Sequence, residues 1–73
     1  MKFKIGDEVM IKKDSEYFNL QGHHGIGTIT HASYNNEYEY GVRFKDNYSN
    51  EYREEDLKYT KVTNWRKRME DRP

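Results

Sequence analysis

Cysteine is absent from this chain of 73 residues. Neither disulfide bonds nor a thiolate zinc site can therefore support the fold, and the absence fits a reducing compartment. A hydrophobic core of this size lies near the lower limit at which it is stable without such cross-links. We therefore expect one small domain whose stability depends on its core packing.

Aliphatic side chains and long apolar runs are also scarce. Only 33% of the residues are hydrophobic, yet the chain has seven Tyr, three Phe and one Trp. Aromatic side chains bury a large area each, so we expect them to fill much of the core. No stretch reaches the roughly 20 apolar residues that a membrane span needs, and the first residues lack the apolar run of a signal peptide. These absences predict a cytoplasmic protein that has no contact with membranes.

Net charge is the third absence, because thirteen basic side chains balance thirteen acidic ones. The distribution is uneven: residues 37–56 carry a net charge of −4 and residues 57–73 carry +4. Proteins built mainly to grip nucleic-acid phosphates usually have an overall basic excess. The balance therefore argues against that class, although the basic C-terminal segment could form a local patch.

Apolar and polar residues alternate along several short segments, which is typical of strands with one buried face. The alternation is clearest at Tyr38, Tyr40, Val42 and Phe44. Five strands are predicted, at residues 8–13, 25–33, 38–45, 48–53 and 58–62.

The connections have turn and loop composition. Residues 14–24 show no clear period and are predicted to be a loop, while residues 34–37 and 46–47 contain the Asn and Asp typical of turns. Residues 54–57 are predicted to be a short helical turn with Leu57 pointing inward.

Five short strands without a long helix predict an all-β fold that closes into a small barrel, because closure removes exposed strand edges. Residues 1–62 are assigned to this barrel. Residues 63–73 are assigned to a basic C-terminal extension, in which Trp65 and Met69 have the spacing of one helical face.

Three segments carry a resemblance to a known superfamily. They are KIGDEVMIKK, GIGTITHA and YGVRFKDNYSNEYREEDLKYT. In this order they resemble small Src-homology-3-like barrels of the KOW and mind-bomb/HERC types, over residues 4–62. The resemblance implies a five-stranded barrel with a Leu-containing 3₁₀ turn after the fourth strand. The composition, rich in Lys, Asn and Tyr, also resembles that of small phage accessory proteins.

The segment GHHGIGTITHA contains all three histidines. His23 and His24 are adjacent and would point to opposite faces of an extended segment, so we expect no shared metal ion and no cofactor. Gly25 and Gly27 are predicted to be structural, because the start of a tightly coiled strand needs positive φ angles or close backbone approach.

No arrangement of residues matches a catalytic motif. Glu54, Glu55 and Asp56 are consecutive, so they cannot face one substrate together, and we expect them to form a solvated turn. The chain is therefore predicted not to be an enzyme.

The tyrosines admit two interpretations, core filling and binding. Tyr38, Tyr40 and Tyr52 are expected in the core. The residues expected to bind a partner are Tyr17, Tyr34, Tyr48, Tyr59, Trp65, Arg66 and Arg68. The four tyrosines and the two arginines are expected to be exposed, whereas Trp65 is expected to pack on the barrel.

The leading functional hypothesis is a non-enzymatic module that docks on a larger protein, such as a phage-encoded modulator of a host complex in the host cytoplasm. The alternative is a KOW-like nucleic-acid binder that uses Arg66, Lys67 and Arg68. A monomer or a weak homo-oligomer is expected in either case.

Overall fold

The computed structural model describes residues 2–33 and 37–60. These residues are mostly β, with five strands and one short α-helix. The strands are β1 (Glu8–Ile11), β2 (Gly27–Ala32), β3 (Tyr40–Phe44), β4 (Ser49–Tyr52) and β5 (Leu57–Tyr59). Residues 34–36 of the expected turn, residues 61 and 62 of the fifth predicted strand, and the extension expected at residues 63–73 lie outside the described residues.

The strands form one sheet in the order β4-β3-β2-β1-β5, and every neighbouring pair is antiparallel. Val42 in β3 lies opposite Ile29 on one side and Asn50 on the other. The five predicted strands are confirmed. The first four are shorter than predicted, and the fifth begins at Leu57, one residue earlier than predicted. The alternating pattern of the sequence extends beyond the residues that form the strands. Tyr48, for example, lies just before β4, and its amide donates to Asp46 Oδ1 at 3.1 Å.

Four of the nine buried core residues are aromatic, in line with the expectation from the composition. Its buried members are Phe3, Val9, Ile11, Ile29, Tyr40, Val42, Phe44, Tyr52 and Leu57. Tyr40 and Tyr52 are fully buried, which confirms their assignment, whereas Tyr38 is only partly buried. The two buried hydroxyls are hydrogen-bonded: Tyr40 donates to Glu54 Oε1 at 2.8 Å, and Tyr52 donates to Gln21. The core thus buries two phenol rings without leaving their polar atoms unpaired.

The connection between β1 and β2 is partly helical, so the prediction of a loop was wrong there. It contains α1 (Phe18–Gln21) and a 3₁₀ turn, Gly22–His24, which we call the histidine turn. The Phe18 ring packs so closely over Gly22 that a Cβ there would lie 2.9 Å from its Cδ1 atom. Helices this short have too few residues to show a period in the sequence.

The residues before β1 are attached to the sheet. Phe3 is only 1% exposed, and its ring packs edge-on against Tyr40 and Tyr59, with centroids 5.1 and 4.9 Å away. The Lys2 amide donates to Glu54 Oε1 at 2.8 Å, and the Gly6 amide donates to the Ile29 carbonyl at 2.8 Å. This N-terminal segment is therefore part of the packed domain.

Candidate functional site

Two glycines allow the chain to enter β2, as predicted. Gly25 has φ of 76° and ψ of −123°, a conformation that glycine adopts far more readily than other residues. Gly27 is buried, and a Cβ there would lie 2.5 Å from Val42 Cγ1 and 2.9 Å from Phe44 Cδ1. Gly25 provides the positive φ angle, and Gly27 leaves the space that Val42 and Phe44 occupy, so both glycines are structural.

His23 and His24 lie side by side, which corrects the expectation that they point to opposite faces. The segment is a 3₁₀ turn rather than an extended strand, and the two ring centroids are 4.1 Å apart with a tilt of 36°. The His24 ring also stacks on Tyr48, at 4.1 Å and 9°. His24 therefore contacts two rings.

The Asp46 carboxylate is hydrogen-bonded to the His24 ring. The Nδ1 atom of His24 lies 2.5 Å from Asp46 Oδ2. This hydrogen bond, followed by the one from the Tyr48 amide, lowers the pKa of Asp46 below its ordinary value. An ionised carboxylate only accepts hydrogen bonds, so Nδ1 of His24 carries the proton in this pair.

His31 is separate from this cluster. It lies on β2 opposite Gly41, where a Cβ would come within 3.0 Å of His31 Nδ1. Thr30, His31, Gly41 and Arg43 are among the residues that line a shallow groove of about 200 Å³. Among residues 2–33 and 37–60, no group of three or more His, Cys, Asp or Glu is placed to hold a metal ion.

The acidic turn differs from the expectation of a solvated segment. It forms the 3₁₀ helix Glu54–Asp56, as predicted, but Asp56 is only 5% exposed. Its carboxylate accepts hydrogen bonds from Ser15 Oγ at 2.9 Å and from the Arg53 amide at 3.2 Å. Asp56 thus joins the β1–β2 connection to the start of β5. Only Glu55 is exposed as expected.

The Glu54 carboxylate connects the N-terminal segment to β3. Its Oε1 atom accepts hydrogen bonds from the Lys2 amide and the Tyr40 hydroxyl, both at 2.8 Å. These two donors stabilise the ionised form and hold the pKa of Glu54 below its ordinary value.

The tyrosines predicted to be exposed are partly buried. Tyr17, Tyr48 and Tyr59 all pack against the core, because a small domain with few aliphatic residues uses ring faces as its outer layer. The Tyr59 hydroxyl donates to the Lys2 carbonyl at 2.6 Å, which ties it to the N-terminal segment. The other predicted binding residues, Tyr34, Trp65, Arg66, Lys67 and Arg68, lie outside the described residues.

Tyr17, Tyr38 and Arg53 meet on one surface, which we call the tyrosine–arginine face. The Tyr17 hydroxyl donates to the Tyr38 hydroxyl at 3.4 Å, and the Arg53 guanidinium lies 5.4 Å from the centre of the Tyr38 ring. Because Tyr17 donates this hydrogen bond, its deprotonation is disfavoured and its pKa is raised to about 12. The hydrogen bond with Tyr38, followed by the one with Glu55, raises the pKa of Arg53.

The face borders two concavities. Tyr17, Tyr38, Asn50 and Glu51 line one of about 250 Å³. The second, of about 390 Å³, is mainly acidic and is lined by Lys12, Asp14, Ser15, Glu16, Arg53, Glu55 and Asp56. Tyr38 was expected in the core, and Arg53 was not among the predicted binding residues. Tyr38 is the first residue of the third predicted strand, and that position was the one signal that it could lie at a rim.

Comparison with known proteins identifies a fold relative but no family. No family model matches the chain, and no curated protein matches it. The chain is similar to the NMR structure of YorP from Bacillus subtilis, with a TM-score of 0.65 and 21% sequence identity over 84% of this chain and 73% of YorP. At this identity the likeness shows a shared fold alone. No helix in the described residues is long and apolar enough to cross a membrane.

Proposed function

We propose that this chain is a non-enzymatic protein-binding module and that the tyrosine–arginine face is its binding surface. The observation that carries the proposal is the meeting of Tyr17, Tyr38 and Arg53 beside a concavity of about 250 Å³. Tyrosine and arginine are the residue types enriched at the energetic centres of protein interfaces. All three side chains remain partly exposed.

Neighbouring side chains restrain Tyr17 and Arg53 of the tyrosine–arginine face. The Tyr17 ring packs edge-on against the fully buried Tyr52, with centroids 5.8 Å apart. Arg53 is restrained by Glu55, whose Oε1 lies 3.4 Å from Nη1, and by Glu16, whose Oε1 lies 4.0 Å from Nη2. Side chains that are already ordered lose less conformational entropy when a partner binds, which favours affinity.

The proposal also includes the superfamily to which the fold belongs. We infer an Src-homology-3-like barrel of the KOW or mind-bomb/HERC type. The antiparallel order β4-β3-β2-β1-β5 and the 3₁₀ helix that directly precedes Leu57 support it. The partner we propose is a larger cytoplasmic protein complex, of the host cell if the chain is phage-encoded.

The test is an affinity capture with matched variants. The chain, Tyr38→Ala and Lys58→Ala are used as bait in cell extract treated with nuclease, and thermal unfolding confirms that each variant is folded. Lys58 is exposed on the edge strand β5 and is the control. We expect the chain and Lys58→Ala to retain one protein in common, and Tyr38→Ala to bind it at least about tenfold more weakly, as for a central interface residue. Loss of all captured protein after nuclease treatment would refute the proposal.

Nucleic-acid binding is the competing outcome. The described residues carry eight basic and eleven acidic side chains, a net charge of −3, which disfavours phosphate contact on the described part of the chain. A fluorescence titration with single-stranded RNA and duplex DNA at low salt separates the two functions. Micromolar binding that falls steeply with salt and is lost in Arg66→Ala/Lys67→Ala/Arg68→Ala would favour the nucleic-acid function.

A further inference from the structure

We propose that the outer face of β2, β3 and β4 is a self-association surface, on which two copies of this chain pair about a two-fold axis. In this dimer, Arg43 of each copy lies over Gly41 of the other copy and forms an ion pair with Glu51 there. The inference goes beyond the protein-binding function proposed above. It follows from the register of the three strands, from the shape of their outer face and from two charges that lack an ion pair.

The strand register places six residues in two adjacent rows across β2, β3 and β4. The first row is His31, Gly41 and Glu51, and the second row is Thr28, Arg43 and Ser49. The residues that flank positions 41 and 43 along β3 are buried in the core. Because side chains alternate along a strand, positions 41 and 43 belong to the opposite, outer face. Four of the six side chains are exposed there: Thr28, His31, Arg43 and Ser49.

The outer face has a hollow in one row and a projection in the other. Gly41, in the middle of the first row, has no side chain, and a concavity of about 200 Å³ includes this position. His31 on β2 and Glu51 on β4 line it from the neighbouring strands. The middle of the second row instead carries the long, exposed side chain of Arg43. The hollow and the projection are thus two residues apart on the same strand.

A two-fold axis exchanges the hollow and the projection. The axis lies parallel to the sheet, crosses the strands and passes between the two rows. It sets the β3 strands of the two copies antiparallel, within the alignment that packed sheets adopt. Each Arg43 then faces the hollow at Gly41 of the other copy, and the same contact forms twice, as in an isologous interface. Packed sheets are roughly 10 Å apart, a gap that facing arginine and glutamate side chains span together.

Charge complementarity favours a second copy as the occupant of this face. Glu51 lies directly opposite Gly41 in the strand register, so an arginine that enters the hollow meets a carboxylate. In the part of the chain that the structure describes, the basic members of the ion pairs are His24 and Arg53, and neither Arg43 nor Glu51 takes part in one. One free guanidinium and one free carboxylate on the same face make the surface complementary to itself.

The experiment is sedimentation equilibrium of the purified, tag-free chain at concentrations up to about 1 mM, because a small polar interface gives a weak complex. We expect the average mass to rise with concentration towards twice that of one chain. Arg43→Glu and Glu51→Arg each bring like charges together and should weaken association at least about tenfold. Lys58→Glu makes the same charge change as Arg43→Glu on the exposed edge strand β5, and this control should associate as the unchanged chain does.

A one-to-one mixture of Arg43→Glu and Glu51→Arg is the decisive sample. In a pair with one copy of each variant, an acidic and a basic side chain meet at both contacts, so association should return. Amide chemical shifts that change with concentration should locate the interface at the two rows and not at β5. Thermal unfolding confirms that each variant is folded.

Three results would overturn the proposal: an average mass that stays at one chain at every concentration, single variants that associate as strongly as the unchanged chain, or a mixture that associates no better than its components. Glu51 also lines the concavity beside the tyrosine–arginine face. The measurements contain no other protein, so their failure is distinct from a failure of the affinity capture.

Discussion

The hydroxyl of Tyr40 shows how single residues support this small fold. It is buried, donates to Glu54 Oε1 at 2.8 Å and accepts the Phe3 amide at 3.2 Å. The alternation of the sequence predicts the burial of the ring. The partners of the hydroxyl are 14 and 37 residues away, and nothing in the local pattern indicates them.

Replacing Tyr40 by Phe should lower the free energy of unfolding by about 1–3 kcal/mol, because the buried Phe3 amide loses its acceptor. Urea unfolding followed by circular dichroism measures this change. Tyr48→Phe is the control: its hydroxyl accepts a partly exposed 3.3 Å hydrogen bond from Asn50, so its cost should stay within about 0.5 kcal/mol. Equal costs for the two variants would contradict the role of the Tyr40 hydroxyl.

Replacing either glycine at the start of β2 by Ala should destabilise the domain, for a different reason at each position. Gly27→Ala places a Cβ 2.5 Å from Val42 Cγ1 and should cost about 1–3 kcal/mol through overpacking. Gly25→Ala has open space but a φ of 76°, and should cost about 1–2 kcal/mol through backbone strain.

A double-mutant cycle with Val42→Ala separates the two mechanisms. Removing the Val42 methyl groups should relieve the clash in Gly27→Ala, so the pair should deviate from additivity by about 0.5–3 kcal/mol. The same cycle with Gly25→Ala should be additive within about 0.5 kcal/mol. Additivity in both cycles would show that the Val42 side chain is not what excludes a Cβ at Gly27.

At the scale of elements, the strands and the 3₁₀ helix Glu54–Asp56 could be predicted, whereas the form of the β1–β2 connection could not. Strand alternation depends on which face meets the core, and this pattern is present in the sequence itself. The β1–β2 connection instead takes its form from contacts with distant strands: Gln21 accepts the Tyr52 hydroxyl, and Ser15 donates to Asp56 at 2.9 Å. These contacts turn an irregular segment into α1 and the histidine turn.

The 3₁₀ helix Glu54–Asp56 should make stability depend on pH through Glu54. Its pKa in the folded state is below the ordinary value of 4.5, so the stabilisation is present above pH 4.5 and is lost as the pH falls through the lower folded value. The difference in unfolding free energy between the unchanged chain and Glu54→Gln should therefore shrink between pH 6 and pH 3.

Urea unfolding at the two pH values measures this difference, and Glu55→Gln is the neighbouring control. The Glu55 side chain is 72% exposed and contacts only Arg53 among the side chains that the structure describes, so its substitution should show little of this pH dependence. The same pH trend in both variants would assign the effect to overall charge instead of to the Lys2 and Tyr40 hydrogen bonds.

At the scale of the whole molecule, the N-terminal segment before β1 should contribute as much to stability as a strand does. Phe3→Ala removes a ring that is 1% exposed and should cost about 3–5 kcal/mol. A domain of this size has a total stability of only about 3–5 kcal/mol from its core, so the variant should be largely unfolded at 37 °C. Amide chemical-shift dispersion and thermal denaturation check this outcome.

Ile5→Ala is the control for the same segment. Ile5 is 68% exposed, and its substitution should change stability by no more than about 0.5 kcal/mol. A folded Phe3→Ala variant would mean that the domain starts at β1.

The sequence by itself determined five strands, the aromatic part of the core with Tyr40 and Tyr52, and the structural glycines at the start of β2. All three follow from local rules: side chains alternate along a strand, apolar rings avoid water, and only glycine accommodates certain backbone positions. The tertiary structure alone decided the burial of Asp56, the pairing of His23 with His24, and the tyrosine–arginine face. Tyr17 and Tyr38 are 21 residues apart, and His24 and Asp46 are 22 apart. Contacts over such distances depend on how the connections pack on the sheet, which no local pattern of residues specifies.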